Sequence, residues 1–119
     1  NSMILALASS GINSEKFTFK GYLPIDKQER NNELNRMLDS IKQKKETQIF
    51  METPYRNHDL FETVINRVSD QMQLSISKDL LGREEETKSM IIKKWKEFEN
   101  PKAWMHKKPA VFVLGEAIV

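Results

Sequence analysis

Apolar positions along the chain fall into short groups whose spacing alternates between helical and extended. Met3–Ser10 is apolar and rich in small residues, and Gly11 follows it. A glycine just past a helix suits the left-handed C′ position, so this spacing predicts a helix over residues 2–10 packed by Ile4, Leu5, Leu7 and Ala8. Phe17-Thr18-Phe19 alternates as a half-buried strand would, and Gly21-Tyr22-Leu23-Pro24 breaks the ladder. Asp26 stands three residues before Glu29, the spacing of a capping box. Leu34, Met37, Leu38 and Ile41 then recur at helical spacing and predict an amphipathic helix over 27–44. Thr47–Met51 reads as a buried strand, and Pro54 bars a helix there. Asn57 is placed to N-cap the next helix, whose stripe is Leu60, Phe61, Val64, Ile65 and Val68. Leu74 and Ile76 alternate with Ser75 and Ser77, which predicts another strand. Gly82 and Glu84–Glu86 read as a solvated loop. Met90, Ile91, Lys94, Trp95 and Phe98 suggest a short helix stopped by Asn100-Pro101. Ala110–Leu114 is a last apolar strand, ended by Gly115.

Helices and strands therefore alternate over four repeats of α then β, the order of a layered α/β sheet with helices on its faces. The 119 residues hold no internal repeat and no linker rich in Pro, Gly or Ser, so a single domain is expected. The chain opens at Asn1 and enters an apolar segment at once, which suggests a piece of a longer protein. With a hydrophobic fraction of 39% and a charged fraction of 30%, the composition is that of a folded globular chain. The net charge of +2 announces no global basic field. The longest apolar run, Met3–Ala8, falls far short of the roughly 20 residues a membrane span needs, so no membrane association is expected.

The common catalytic signatures are missing: there is no GxGxxG, P-loop, GxSxG or HExxH. The chain has no cysteine, and His58 and His106 lie far apart in sequence, so no metal site is expected and both histidines read as ordinary polar residues. Glu84–Glu86 is the only dense acidic cluster, and adjacent carboxylates in a polar loop stay solvated. Lys42, Lys44 and Lys45 suit the negative end of a helix dipole. Lys93, Lys94, Lys96, Lys102, Lys107 and Lys108 crowd the last third around Trp95 and Trp104. Trp95 falls on the apolar stripe of its helix and reads as core. Trp104 in a loop is the candidate for stacking on a base, with lysines to neutralise phosphate.

Three segments carry a family resemblance. Ala6-Leu7-Ala8-Ser9-Ser10-Gly11-Ile12 leads to Phe17-Thr18-Phe19-Lys20-Gly21-Tyr22-Leu23-Pro24 and Arg30, Ile49-Phe50-Met51-Glu52-Thr53-Pro54-Tyr55-Arg56 comes next, and Ser77-Lys78-Asp79-Leu80 leads to Glu84-Glu85. In this order they resemble the signatures of the ribosomal small-subunit RNA ribose methyltransferase I family, within the tetrapyrrole methylase superfamily. Val111–Gly115 with Glu116 is similar to that family's closing strand. The third segment departs from the pattern at Ser77, Lys78, Asp79 and Leu81.

The resemblance implies two α/β domains with S-adenosylmethionine held in the cleft between them. The Gly-rich donor loop belongs to the N-terminal domain, and this sequence does not contain it. Asn1-Ser2-Met3-Ile4 looks like the turn that opens the second domain. Residues 1–119 are thus expected to form the C-terminal domain, a mixed sheet of about five strands flanked by helices, with the fifth strand around Glu86–Met90. By the same resemblance Met51, Glu52, Thr53, Ser77 and Lys78 line the donor side of the cleft, and Arg30 and Arg56 meet the substrate, where an arginine could fork onto phosphate. An alternative for Arg56 is pairing within the domain, with Glu52. No catalytic residue is assigned. The implied activity is methylation of ribosomal RNA at a ribose 2′ oxygen, in the cytoplasm, with the N-terminal domain as obligatory partner and a homodimer as the expected assembly. The alternatives are a non-catalytic RNA-binding module and a methylase of a tetrapyrrole or another small molecule.

Overall fold

The computed structural model describes residues 2–117, without the side chains of Ser2, Met3, Ile4 and Ala8. The elements are α1 (Ser2–Ser9), β1 (Phe17–Tyr22), α2 (Lys27–Lys44), β2 (Thr47–Glu52), α3 (Asn57–Arg67), β3 (Gln73–Lys78), β4 (Glu86–Ile91), α4 (Ile92–Glu97), α5 (Pro101–Met105) and β5 (Ala110–Gly115). Five strands form one mixed sheet in the order β1-β2-β5-β3-β4. β1 and β2 are parallel, joined across α2, and every other neighbouring pair is antiparallel. β5, last in sequence, is inserted between β2 and β3, so the C-terminal ends of β2 and β3 flank the N-terminal end of β5.

Central position explains why β2 and β5 are buried almost throughout and why β5 is a continuous apolar run, since both strands are covered on both faces. On one face, Phe50, Leu74, Ile76, Ala110, Phe112 and Leu114 meet residues of α2 to α5, including Leu34, Leu60, Phe61, Ile92, Trp95 and Met105. Phe50 and Phe112 stack with centroids 5.2 Å apart. On the other face, Ile49, Val111 and Val113 pack with Ala6 and Leu7 of α1 and with Ile12. Gly115 is required at the end of β5, because a Cβ there would sit 2.7 Å from Ile12 Cγ2 and 2.8 Å from Thr47 Oγ1.

Local chemistry sets several element ends as the sequence suggests. Asp26 caps α2 by accepting a 3.0 Å hydrogen bond from the Glu29 amide. Lys45 closes the helix in the left-handed region at φ 56°, its amide donating to Ile41 O and Ser40 O.

Other expectations are corrected. The ladder of β1 does not break at Gly21. It passes through a bulge between Phe19 and Gly21, where Gly21 takes φ +69°, and continues to Tyr22 on the edge of the sheet. Asn57 is not a cap: Arg56 holds that position without a side-chain bond, and Asn57 is buried inside the first turn. β4 is the fifth strand that the resemblance implied around Glu86–Met90; it replaces the loop read at Glu86 and the helix start read at Met90 and Ile91. Asn100-Pro101 does not only stop α4; Pro101 opens a further helix, α5, as its fixed φ and missing N–H allow at a first position. Trp104 therefore lies on a helix. Of the opening turn read at Asn1–Ile4, Asn1 is outside the described residues and the backbone from Ser2 is helical. The packing expected of Ile4 and Ala8 is likewise outside the described side chains.

Candidate functional site

The sheet register brings two distant segments into one row. Met51 pairs with Val111, which pairs with Ser77, while Glu52 pairs with Ala110, which pairs with Lys78. Four of the five positions expected to line the donor site thus meet at one end of the sheet, and Thr53 follows directly. A cavity of about 150 Å³ opens there, lined by Tyr22, Met51, Glu52, Leu80, Pro109, Ala110 and Val111.

Within this row the side chains differ. Met51 is half-buried beside Val111 and Leu80 and supplies apolar wall. Glu52 is buried, accepts a 2.7 Å hydrogen bond from the Thr53 amide, and lies 3.6 Å from Arg56 Nε. The pairing of Arg56 with Glu52 within the domain is therefore present. The buried Thr53 hydroxyl and Arg56 Nε have no hydrogen-bond partner. Ser77 is buried, and its hydroxyl is shared with Thr87 Oγ1 at 2.8 Å. Lys78 alternates to the opposite face, where its ammonium lies 5.3 Å from the Trp104 ring centroid. Ser77 and Lys78 are thus in the row but do not line the cavity.

Arg30 lies elsewhere, on α2. It is buried, and its Nη2 donates to Thr63 Oγ1 on α3 at 2.9 Å, while its Nε has no partner. Both groups line a polar groove of about 540 Å³ between α2 and α3, together with Lys27, Asn31, Asp59, Glu62, Asn66 and Arg67. Arg30 and Arg56 therefore do not share a pocket, although Arg30 in the first turn of α2 and Arg56 at the N-cap of α3 follow the parallel strands β1 and β2, which end at the same end of the sheet.

Trp104 is not free to stack. It is half-buried against Trp95 and Phe98, with centroids 6.0 and 5.9 Å away. Its Nε1 donates to Glu86 Oε1 at 3.0 Å. That bond, with help from Lys88, holds the Glu86 carboxyl below its ordinary range. Trp95 is core as expected, its Nε1 bonded to Leu74 O at 2.8 Å.

The sequence reading missed the walls contributed by Leu80 and by Pro109–Val111. Pro109 at the mouth of an apolar strand was the available signal, but only the insertion of β5 between β2 and β3 brings it to this end. Among the described residues no group of three or more His, Asp or Glu is arranged to hold a metal, and no helix is long and apolar enough to cross a membrane.

Known proteins resemble the chain in sequence and in fold. The chain is 26% identical over 121 residues to the ribosomal RNA small subunit methyltransferase I of Buchnera aphidicola, covering 98% of this chain and 37% of that protein. It is 33% identical over 86 residues to the protein of the same name from Halalkalibacterium halodurans, covering 72% and 28%. The Bacillus subtilis protein of that name is 30% identical over the same share. These likenesses support a domain of the tetrapyrrole methylase superfamily. The chain spans between about a quarter and two fifths of the length of these relatives. No protein-family profile matches it. In fold, the chain resembles the crystal structure of the methyltransferase CobJ, with a TM-score of 0.57 at 12% identity, over 97% of this chain and 47% of that one.

Proposed function

We propose that the chain is the C-terminal domain of an S-adenosylmethionine-dependent methyltransferase that acts on small-subunit ribosomal RNA in the cytoplasm, and that it supplies one wall of a donor site completed by an N-terminal domain. The observation that carries this reading is the half-walled cavity at the sheet end. Its volume of about 150 Å³ falls below the roughly 300–1,000 Å³ of complete small-molecule pockets. Strand ends of an open α/β sheet are a usual place for such ligands.

The residues present fit a share of the methyl donor. Met51, Leu80 and Val111 offer an apolar surface suited to adenine, and Thr53 adjoins this wall without lining it, its buried hydroxyl unpartnered within the domain. The donor would supply an electrophilic methyl group on a sulfonium. Transfer from it is an in-line displacement, so holding the two reactants in alignment can account for much of the rate. On this side of the cleft the chain's own contribution is positioning: Glu52 fixes the Thr53 backbone and holds Arg56 near the strand end. Arg56 and Arg30 are proposed to meet substrate phosphates. The names of the relatives support RNA as substrate, and the Glu52–Arg56 segment keeps the sequence pattern shared with that family.

The test is methyl transfer from labelled S-adenosylmethionine to small ribosomal subunits by the full-length protein. Methylation at a ribose is expected, with none from the 119-residue chain alone. Thr53→Val should raise the KM for the donor severalfold with little change in thermal stability, because the lost hydroxyl has no partner within the domain. Transfer to a tetrapyrrole and not to RNA would overturn the substrate assignment. Absence of any transfer, with RNA binding retained, would favour a non-catalytic RNA-binding module.

A further inference from the structure

A second cavity, of about 220 Å³, opens beside the N-terminus of α3 and is lined by Pro54, Tyr55, Asn57, His58, Lys102, His106 and Lys107. Its walls come from the β2–α3 turn and from α5 with the turn that follows. The buried Asn57 amide ties these walls together, donating to Met105 O at 2.8 Å and Lys108 O at 2.7 Å. The two histidines, far apart in sequence, meet here. Tyr55 is 86% exposed, the most exposed of the large hydrophobic side chains. Among the described residues, Lys102 and Lys107 form no ion pair, whereas Lys88, Lys94, Lys96 and Lys108 each have a carboxylate partner. One carboxylate borders the cavity: Glu62 Oε1 lies 3.4 Å from His58 Nδ1.

We infer that this cavity is a subsite for a single strand of RNA, with an unpaired base stacked on Tyr55 and flanking phosphates on Lys102 and Lys107. The inference rests on the reading of RNA as substrate and adds the place where the strand is held. An exposed aromatic ring beside unpaired cations is the arrangement that binds single strands: base–aromatic stacking tolerates any sequence, and lysines neutralise phosphate. Trp104 lacks these properties, since its ring is packed and its neighbouring ammonium groups already lie over it. Tyr55 and Pro54 follow directly on the donor-site residues Met51–Thr53, so a strand held here runs beside the proposed methyl-transfer cleft. The pre-set distance between α3 and the α5 turn lets the strand bind without ordering the loop first.

The experiment is fluorescence anisotropy with the full-length protein and a short labelled RNA of mixed sequence, single-stranded or annealed to its complement, over a salt series. Tyr55→Ala should weaken single-strand binding about tenfold, within the range for loss of one base–aromatic stack, and leave duplex binding nearly unchanged. Tyr55→Phe keeps the ring and should bind as the parent does. Lys102→Gln combined with Lys107→Asn should make the plot of log affinity against log salt shallower by about 1.4, the share of two phosphate contacts on a single strand. Asparagine is chosen because Lys107 has φ 57°, a region Asn tolerates. Tyr55, Lys102 and Lys107 are all exposed, so unchanged melting temperatures are expected. If the parent binds RNA and these variants bind equally well with the same slope, the subsite is wrong while the RNA reading stands. If the parent binds no RNA, both fail. Equal losses on single strand and duplex would overturn stacking on Tyr55.

Discussion

On one face of the sheet, Phe50, Leu74, Ile76, Phe112 and Leu114 are closed over by α2 to α5. The other face meets α1, and there the edge strand β1 leaves Phe17, Phe19 and Tyr22 exposed at 45%, 50% and 60%. Their cross-strand partners Thr47, Ile49 and Met51 place all three on the α1 side. The difference teaches where each kind of information sits. The closed face is where stability accumulates, because apolar area leaves water there and interior packing is dense. The α1 face and the adjoining sheet end carry the exposed aromatics, the partial cavity and the unpartnered Thr53 hydroxyl, and contribute less to holding the chain together.

The largest effect expected from this contrast is on the closed face. Trp95→Ala removes a fully buried ring and the bond to Leu74 O, and should cost about 3–5 kcal/mol in urea denaturation. Phe19→Ala on the half-exposed edge should cost within about 0.5 kcal/mol. Similar costs at the two positions would break the comparison.

A smaller effect is expected where the closed core meets the sheet end. Asn57→Ala removes the side-chain donor to Lys108 O and one of two donors to Met105 O, which also accepts from the Lys108 amide, a loss of about 1–3 kcal/mol. Hydrogen exchange should show the amides of 105–108 opening faster than those of β5. Uniform destabilisation, with no local opening, would mean that Asn57 acts only as filler.

The smallest effect is electrostatic. Glu33 is held below the ordinary glutamate value of 4.5 chiefly by its bond from Lys20, and Glu86 chiefly by the bond from Trp104. For such carboxyls the folded state binds protons less readily than the unfolded chain. Their contribution is therefore present above about pH 4.5 and is lost as pH falls through the lower folded values. Melting temperature should drop slightly more between pH 5 and 3 in the parent than in Glu86→Gln, and the difference should shrink in salt because the pair is exposed. An equal drop in both would remove Glu86 from the account.

Much of the closed face was legible in the sequence. The stripe Leu34, Met37, Leu38 and Ile41 and the Asp26 cap define α2 by local periodicity alone. What failed was long-range or short. Asn57 stands where a cap would stand, but its partners lie 48 and 51 residues further on. Met90-Ile91 is an apolar run too short for periodicity to separate strand from helix. α5 has five residues, and the same Pro that ends one helix begins another. For the site, the residues of β2 and β3 were named from the resemblance of their motifs. Their convergence on Pro109–Val111, and the turning away of Lys78, depend on β5 entering between them. Tyr55 stood inside the second motif with no role assigned to it, and nothing local links His58 to His106.

The central claim is that this domain holds one wall of a divided donor site. Titration calorimetry with S-adenosylmethionine, run on the isolated 119-residue chain and on the full-length protein, tests it most directly. The account predicts saturable binding by the full-length protein and no measurable heat from the isolated chain, with circular dichroism showing that chain folded. Micromolar binding by the isolated, folded chain would show that the site is complete within these residues and would contradict the account.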